Sequence, residues 1–241
     1  MRAISIIYRR ELGAYLRSPF GWVIAAILLL IAGFLCQGYA MSGEQLSADV
    51  LKKYFYVASA LPLFGGVLLS FRLLSEERQN NSMVLLNTSP IRDSHIVLGK
   101  FFAALTFLAI LLLLSVYMPI MIKINGKITG VQVLVGYIGL LLLGAATMAI
   151  GLFGSALTRQ QLIAAVLSAA MVAIVCFIHL LASKVDSPLK DVIEQVDLWW
   201  VHFQYGFMVG VLNLKDVVYY LATTYFFLLL SIKTLEAKRW Q

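Results

Sequence analysis

The chain has 241 residues, of which 61% are hydrophobic and 13% are charged, whereas soluble domains carry about 25% charged residues. This composition excludes a soluble globular protein and indicates a membrane protein. The net charge of +7 predicts contact with anionic lipid headgroups and not with nucleic acid, because the basic residues flank apolar runs. The two longest stretches without a strong apolar run, 72–100 and 184–216, are too short for an independent core. We therefore predict one membrane domain covering residues 1–241.

Residues 1–19 predict an amphipathic helix that lies in the membrane interface. At about 100° per residue, one broad face holds Ile4, Ile7, Tyr8, Leu12, Ala14 and Tyr15, whereas the opposite arc holds Arg2, Arg9, Arg10 and Arg17. Pro19 ends this helix just before the first apolar run. Glu11 falls on the apolar face. It either pairs locally with an arginine or snorkels, or it faces a partner protein.

Six uncharged apolar runs are long enough to cross the bilayer, since about 20 helical residues span its hydrocarbon core. They cover residues 20–40, 54–71, 101–122, 131–157, 162–183 and 217–232. We therefore predict an all-α polytopic protein with six transmembrane helices. Residues 186–212 are expected to form an outer re-entrant or interfacial segment, because Trp199, Trp200 and Tyr205 are suited to the headgroup level.

The basic residues predict the orientation of these spans. If both termini lie inside, 12 of the 19 Lys and Arg residues fall inside and 7 outside. Membrane topology follows this bias. We therefore expect both termini in the cytoplasm.

The absence of charged side chains from the six apolar runs bears on function. The six runs contain no Asp, Glu, Lys or Arg and one histidine, His179, so they lack the groups with which transporters couple ion or proton gradients. The chain also lacks a P-loop, a zinc-protease motif and a nucleophile elbow. Cys36 and Cys176 lie in apolar runs and are expected to be buried, and His179 is expected to be structural. We predict no enzyme activity, no cofactor and no metal, so that energy for transport must come from another subunit.

The segment between the second and third spans is the most informative stretch. Residues 75–95 include a short apolar helix at 83–86, which Ser82 can cap and Pro90 limits. Such a helix suits the groove of a partner protein. A loop that only turned the chain would instead leave Met83, Leu85 and Leu86 exposed.

Several runs of residues carry a resemblance to a known family. They are S-E-E-R at 75–78, L-L-N-T-S-P-I at 85–91, I-V-L-G-K at 96–100, R-R-E-L-x-x-Y-L-R-S-P at 9–19, A-I-G-L-F-G-S-A-L-T at 149–158 and G-V-L-N-L-K-D-V-V-Y-Y-L at 210–221. Together they resemble the permeases of ABC-2 transporters, especially the gliding-motility and nitrous-oxide-reductase-maturation types. Members often have G-T-x-E before the double leucine, where this chain has Asn-Ser-Met-Val at 81–84. The acidic contact offered there is missing.

The resemblance implies the partners and the working parts of the protein. We expect a bacterial inner-membrane permease that pairs with a second copy or a related permease above two cytoplasmic ABC ATPases, in contact with membrane lipids and an accessory periplasmic-side or membrane protein. The expected ATPase-coupling residues are Glu11, Glu76, Glu77, Arg78, Ser82, Met83, Leu85, Leu86 and Pro90.

Two other functions stay open at this point. The chain can be a scaffold subunit of a surface or motility machine, without transport activity. A membrane enzyme ranks lower, because no cluster of polar residues suited to catalysis is evident within reach of a membrane face. The substrate of an exporter can be a lipid, a polysaccharide or a peptide. Transmission of a mechanical signal without any substrate also remains open.

Overall fold

The computed structural model describes residues 2–40, 46–80, 92–182, 184 and 189–239. These residues form helices and turns and contain no strand. The helices are α1 Arg2–Arg17, α2 Pro19–Leu35, α3 Ser47–Ala58, α4 Ala60–Ser70, α5 Arg72–Gln79, α6 Asp93–Leu114, α7 Tyr117–Asn125, α8 Gly130–Leu157, α9 Gln161–Ala182, α10 Leu189–Glu194 and α11 Leu214–Arg239. Short π-helical turns cover Cys36–Ala40 and Trp200–Gln204, and a 3-10 turn covers Phe207–Val209.

Six helical stretches are long and apolar enough to cross a membrane, which confirms the predicted fold class. Spans 1 to 6 are Pro19–Ala40, Ser47–Gln79, Asp93–Ile124, Gly130–Leu157, Gln161–Leu180 and Leu214–Lys238. Within the most apolar 18 residues of each span, 61–67% of the residues are buried in spans 2, 3 and 4, but only 22% in spans 5 and 6. Spans 2, 3 and 4 therefore form the centre of the bundle and the others lie around it.

Prolines explain one interruption in span 2 and the interruption of span 3. In span 2, α3 ends at Ala58, four residues before Pro62. In span 3, α6 gives way to α7 around Ser115, four residues before Pro119. A proline cannot donate a helical hydrogen bond, and its ring clashes with the carbonyl four residues earlier. Each span therefore bends where its sequence places a proline.

Small residues allow spans 2 and 4 to approach closely. A Cβ atom added to Gly151 would lie 1.9 Å from Ser70 Oγ, and one added to Gly66 would lie 2.2 Å from Thr147 Oγ1. The Ser155 hydroxyl accepts hydrogen bonds from the backbone N–H groups of Leu74 at 3.0 Å and Ser75 at 2.9 Å. Small residues and hydroxyl groups are typical of helix interfaces in membranes. Span 4 thus fixes the end of span 2.

The segment before span 6 packs into the end of the bundle. Leu198, Phe203 and Phe207 are fully buried, while Tyr205 is 72% exposed. The 3-10 turn ends at Gly210, whose φ of 85° lies in the left-handed region that favours glycine. The sequence predicted aromatic rings at the membrane interface here. The indole rings predicted there are half-buried and Tyr205 is exposed, while neighbouring side chains of the segment pack into the core.

Both ends of the chain lie at the same end of the bundle. The α1 helix packs on the start of α6, and Lys238 near the end of α11 contacts the end of α8. The end of span 2 meets α8 there too, through Ser75. We call this side of the molecule the termini end.

Candidate coupling site

The α1 helix is held against the start of span 3 at the termini end. Ile7 is 4% exposed and packs over Gly99, where an added Cβ atom would lie 2.8 Å from Ile7 Cγ2 and 3.2 Å from the Ile4 carbonyl oxygen. The Tyr8 hydroxyl donates to Thr106 Oγ1 at 3.2 Å. The glycine of I-V-L-G-K therefore makes room for an amphipathic helix lying along the span.

The same helix is tied to span 2. The Tyr15 hydroxyl donates a hydrogen bond of 2.7 Å to the Leu69 carbonyl oxygen, and its ring stacks on Phe107 of span 3 at a centroid distance of 5.2 Å. Tyr15 is 6% exposed, so its ring is part of the core where α1, span 2 and span 3 meet.

Four charged residues join these three elements, and we call them the junction cluster: Arg10, Glu11, Glu77 and Lys100. Lys100 Nζ lies 3.0 Å from Glu11 Oε1 and 2.9 Å from Glu77 Oε1. Arg10 Nη2 lies 2.7 Å from each of the same two oxygens. Two cations and two carboxylates thus alternate, so that α1, α5 and α6 are linked by ion pairs.

Burial makes the junction cluster energetically significant. The Lys100 side chain is 2% exposed, and those of Glu11 and Glu77 are 16% and 12% exposed. Burial opposes ionisation of Glu11, but the charge of Lys100 and the hydrogen bond from Arg10 outweigh it and hold the pKa of Glu11 below its ordinary value. Removing one partner of a buried pair is strongly destabilising, because the remaining charge is left uncompensated.

A cleft of about 390 Å³ opens beside the junction cluster. Its walls include Arg72, Glu76 and Asn80 of span 2 together with Glu11 and Lys100. Arg72 Nε donates to Glu76 Oε2 at 2.8 Å, and its guanidinium carbon lies 4.2 Å from the centre of the Phe20 ring. The cleft is therefore polar and lies where span 2 leads into the segment 81–91.

The structure brings together some of the predicted coupling residues and separates others. Glu11, Glu76 and Glu77 all line the cleft. Arg78 instead donates to the Ala156 carbonyl oxygen at the end of span 4. The remaining predicted residues lie outside the described part of the chain: Ser82, Met83, Leu85, Leu86 and Pro90.

Arg10 and Lys100 belong to the site but were not predicted. Lys100 is the last charged residue before a long uncharged run, where a lysine ordinarily snorkels to the interface. The Lys100 ammonium is buried against the carboxylates of Glu11 and Glu77, which lie 89 and 23 residues earlier in the sequence. The one signal in the sequence was the carboxylate of Glu11 on an apolar face, which requires a cation from elsewhere.

The two cysteines and the histidine of the predicted spans pack among other side chains of the bundle. Cys36 and Cys176 are buried, as predicted. The ring of His179 stacks on Trp200 at a centroid distance of 5.8 Å. Among the described residues, no group of three His, Cys, Asp or Glu side chains is placed to hold a metal ion.

Comparison with known proteins identifies the family. A family model described as ABC-2 family transporter protein matches residues 5–232. The chain belongs to this family. The comparison with curated proteins gave no match. ABC-2 family members are permease subunits of ABC transporters, are generally not catalytic and generally work with ABC ATPase partners. In this ABC-2 permease, the junction cluster joins α1, span 2 and span 3 by ion pairs.

Proposed function

We propose that this chain is the permease subunit of an ABC-2 exporter, in which separate cytoplasmic ATPases act on the termini end. Their ATP hydrolysis drives either substrate movement or a mechanical signal across the membrane. The resemblance to gliding-motility and nitrous-oxide-reductase-maturation permeases supports a place in the bacterial inner membrane, with both termini in the cytoplasm.

The junction cluster is the observation that carries this proposal. Glu77 lies at the end of span 2, directly before the segment 81–91, and shares Lys100 with Glu11 of α1. A displacement of that segment by a partner would therefore move Glu77 and be passed to both α1 and span 3. ABC-2 family members generally work with ABC ATPase partners, so we expect the force to come from such a partner.

Apolar residues of the segment 81–91 are proposed to hold the ATPase. Exposed ion pairs contribute about 0–1 kcal/mol, whereas truncating a buried interface anchor commonly costs roughly 2 kcal/mol or more. Met83, Leu85 and Leu86 are therefore expected to dominate affinity. The charged residues Glu76 and Glu77 are expected to transmit motion.

A second permease copy is proposed to pack against span 5. A groove of about 780 Å³ runs between spans 2 and 5 and is lined almost entirely by apolar side chains, including Leu63, Val67, Ala169 and Val172. Span 5 is among the least buried spans of the single chain. A second copy seated here would cover span 5 and enclose the two grooves between the subunits.

Substitution of the apolar residues in the segment 81–91 tests the docking of the ATPase. Met83→Asp with Leu86→Asp should release the ATPase from the tagged permease in a pull-down, since losing one anchor weakens binding about 30-fold. Asn87→Asp with Ser89→Asp adds the same charge to polar positions of the segment and should keep the ATPase bound. Full copurification with the first pair of substitutions would refute this docking site.

A further inference from the structure

Three cations converge at the termini end, where the end of span 2 meets the end of span 4. Arg78 Nη1 donates to the Ala156 carbonyl oxygen. Lys238 Nζ donates to the same oxygen at 3.1 Å and to the Leu157 carbonyl oxygen at 2.7 Å. Arg159, two residues beyond the end of α8, lies close enough to repel both cations. Spans 2, 4 and 6 therefore each place a basic residue at one point.

The described residues do not balance this positive charge with a carboxylate. The neighbouring acidic side chains are paired elsewhere: Glu76 with Arg72, Glu77 with Arg10 and Lys100, and Glu236 with Lys233. The adjoining residues 81–91 include no Asp or Glu. The carbonyl groups at the end of α8 supply only about half a negative charge. An excess of positive charge remains.

One donor at this point has no partner. Arg78 Nη2 is buried and makes no hydrogen bond to the described residues. A buried donor without a partner is costly. Arg159 and Lys238 are exposed beside it. An anion reaching Arg78 would thus meet two further cations, and the planar fork of a guanidinium is suited to a phosphate group.

The position of the three cations favours a lipid as the source of that anion. Arg78 and Lys238 lie in the last turns of spans 2 and 6, and Arg159 lies between spans 4 and 5, at the level where apolar helix gives way to headgroups. Span 6 is among the least buried spans and lies outside the proposed interface with a second copy, so lipid can reach the site along it. We propose that Arg78, Arg159 and Lys238 bind the phosphate group of an anionic phospholipid.

Native mass spectrometry of the purified full-length protein, titrated with phosphatidylglycerol in detergent, tests this site. Each cation placed to contact the bound phosphate is expected to add a few-fold in affinity, so R78Q/R159Q/K238Q should weaken binding of the first phosphatidylglycerol by about tenfold or more. R159Q/K238Q changes only exposed side chains and keeps the contact of Arg78 with the end of α8. This variant should lose less affinity for phosphatidylglycerol than the triple variant does. The control R9Q/R17Q/K233Q removes three exposed cations from the same end and should leave that binding within about twofold.

Three results would overturn the proposal. The first is equal loss in the R159Q/K238Q variant and in the control. The second is displacement of phosphatidylglycerol by an equal concentration of inorganic phosphate, which would assign the site to a soluble anion. The third is unchanged lipid binding with loss of the ATPase in a pull-down, which would assign the three cations to an acidic protein surface. Phosphatidylcholine should compete poorly in every variant that keeps the site.

Discussion

Two buried basic side chains lie at opposite ends of the bundle, and each is held by a carboxylate from another element. Lys100 at the termini end and His202 at the far end are both 2% exposed. His202 Nδ1 lies 2.7 Å from Asp216 Oδ1, and its ring stacks on Tyr219 at 3.8 Å between centroids. Such pairs fix the relative positions of the elements that carry them, because separating a buried pair leaves an uncompensated charge.

The His202 pair gives a test of stability at the residue scale. His202→Phe keeps an aromatic ring beside Tyr219 but removes a hydrogen bond to the buried Asp216 carboxylate, at a cost of roughly 1.5–3 kcal/mol. Thermal unfolding of the purified protein in detergent should show a clearly lower midpoint. Lys190→Gln removes the exposed pair with Glu194, whose atoms are 3.8 Å apart, and should cost about 0–1 kcal/mol. Equal midpoints for the two variants would show that His202 does not hold the outer segment.

Individual residues of the site were only partly predictable. Glu11 was identified because a carboxylate on an apolar face requires a partner, and local pairing with an arginine was one of the alternatives that the sequence left open. Lys100 was not predicted because the two carboxylates that pair with it come from different helices, and no periodic pattern relates residues 11, 77 and 100. Long-range ion pairs of this kind are set by tertiary packing, which hydrophobic patterns do not encode.

At the scale of elements, periodicity and composition were sufficient for most of the fold. The amphipathic pattern predicted α1, which runs Arg2–Arg17, and the apolar runs predicted all six spans. Prolines explain the break near Ala58 in span 2 and the break near Ser115 in span 3. The segment before span 6 was harder, because Trp199, Phe203 and Phe207 are equally suited to a membrane interface and to a core. Their burial depends on the space left at the ends of spans 4 and 6.

Span 5 gives the prediction for this scale. In a background without Cys36 and Cys176, Ala169→Cys on the groove face of span 5 should form a disulfide between copies upon mild oxidation, detected as a dimer by electrophoresis, because the proposed interface places two copies of this face together. Val218→Cys on span 6, which is 55% exposed, should stay monomeric under the same conditions. A dimer formed from Val218→Cys and not from Ala169→Cys would place the interface on span 6.

For the whole molecule, the structure unites both termini, the end of span 2 and the start of span 3 at one end. The bias of basic residues predicts that this end is cytoplasmic. The sequence therefore predicts that a cytoplasmic partner acts at this end. It did not predict that α1 and spans 2 and 3 are linked by shared ion pairs.

Labelling of single cysteines tests this orientation in intact cells. In a background without Cys36 and Cys176, cysteines at Ser42, Thr129 and Ser187 should react with an impermeant reagent from outside. Cysteines at Ser89 and Gln241 should react only after lysis. Labelling of Gln241 from outside would mean an odd number of crossings.

The central claim is that the junction cluster transmits the action of an ATPase on the segment 81–91. The most direct test measures ATP hydrolysis by the purified permease–ATPase complex in lipid, for Glu11→Gln and Glu77→Gln separately. Each substitution leaves Lys100 one carboxylate, so the complex should assemble at full yield. Stimulation of hydrolysis by the permease should fall about fivefold or more, the range of ordinary coupling between sites. Glu236→Gln on span 6 should leave it unchanged. Normal stimulation in both cluster variants, with the ATPase fully bound, would contradict the claim.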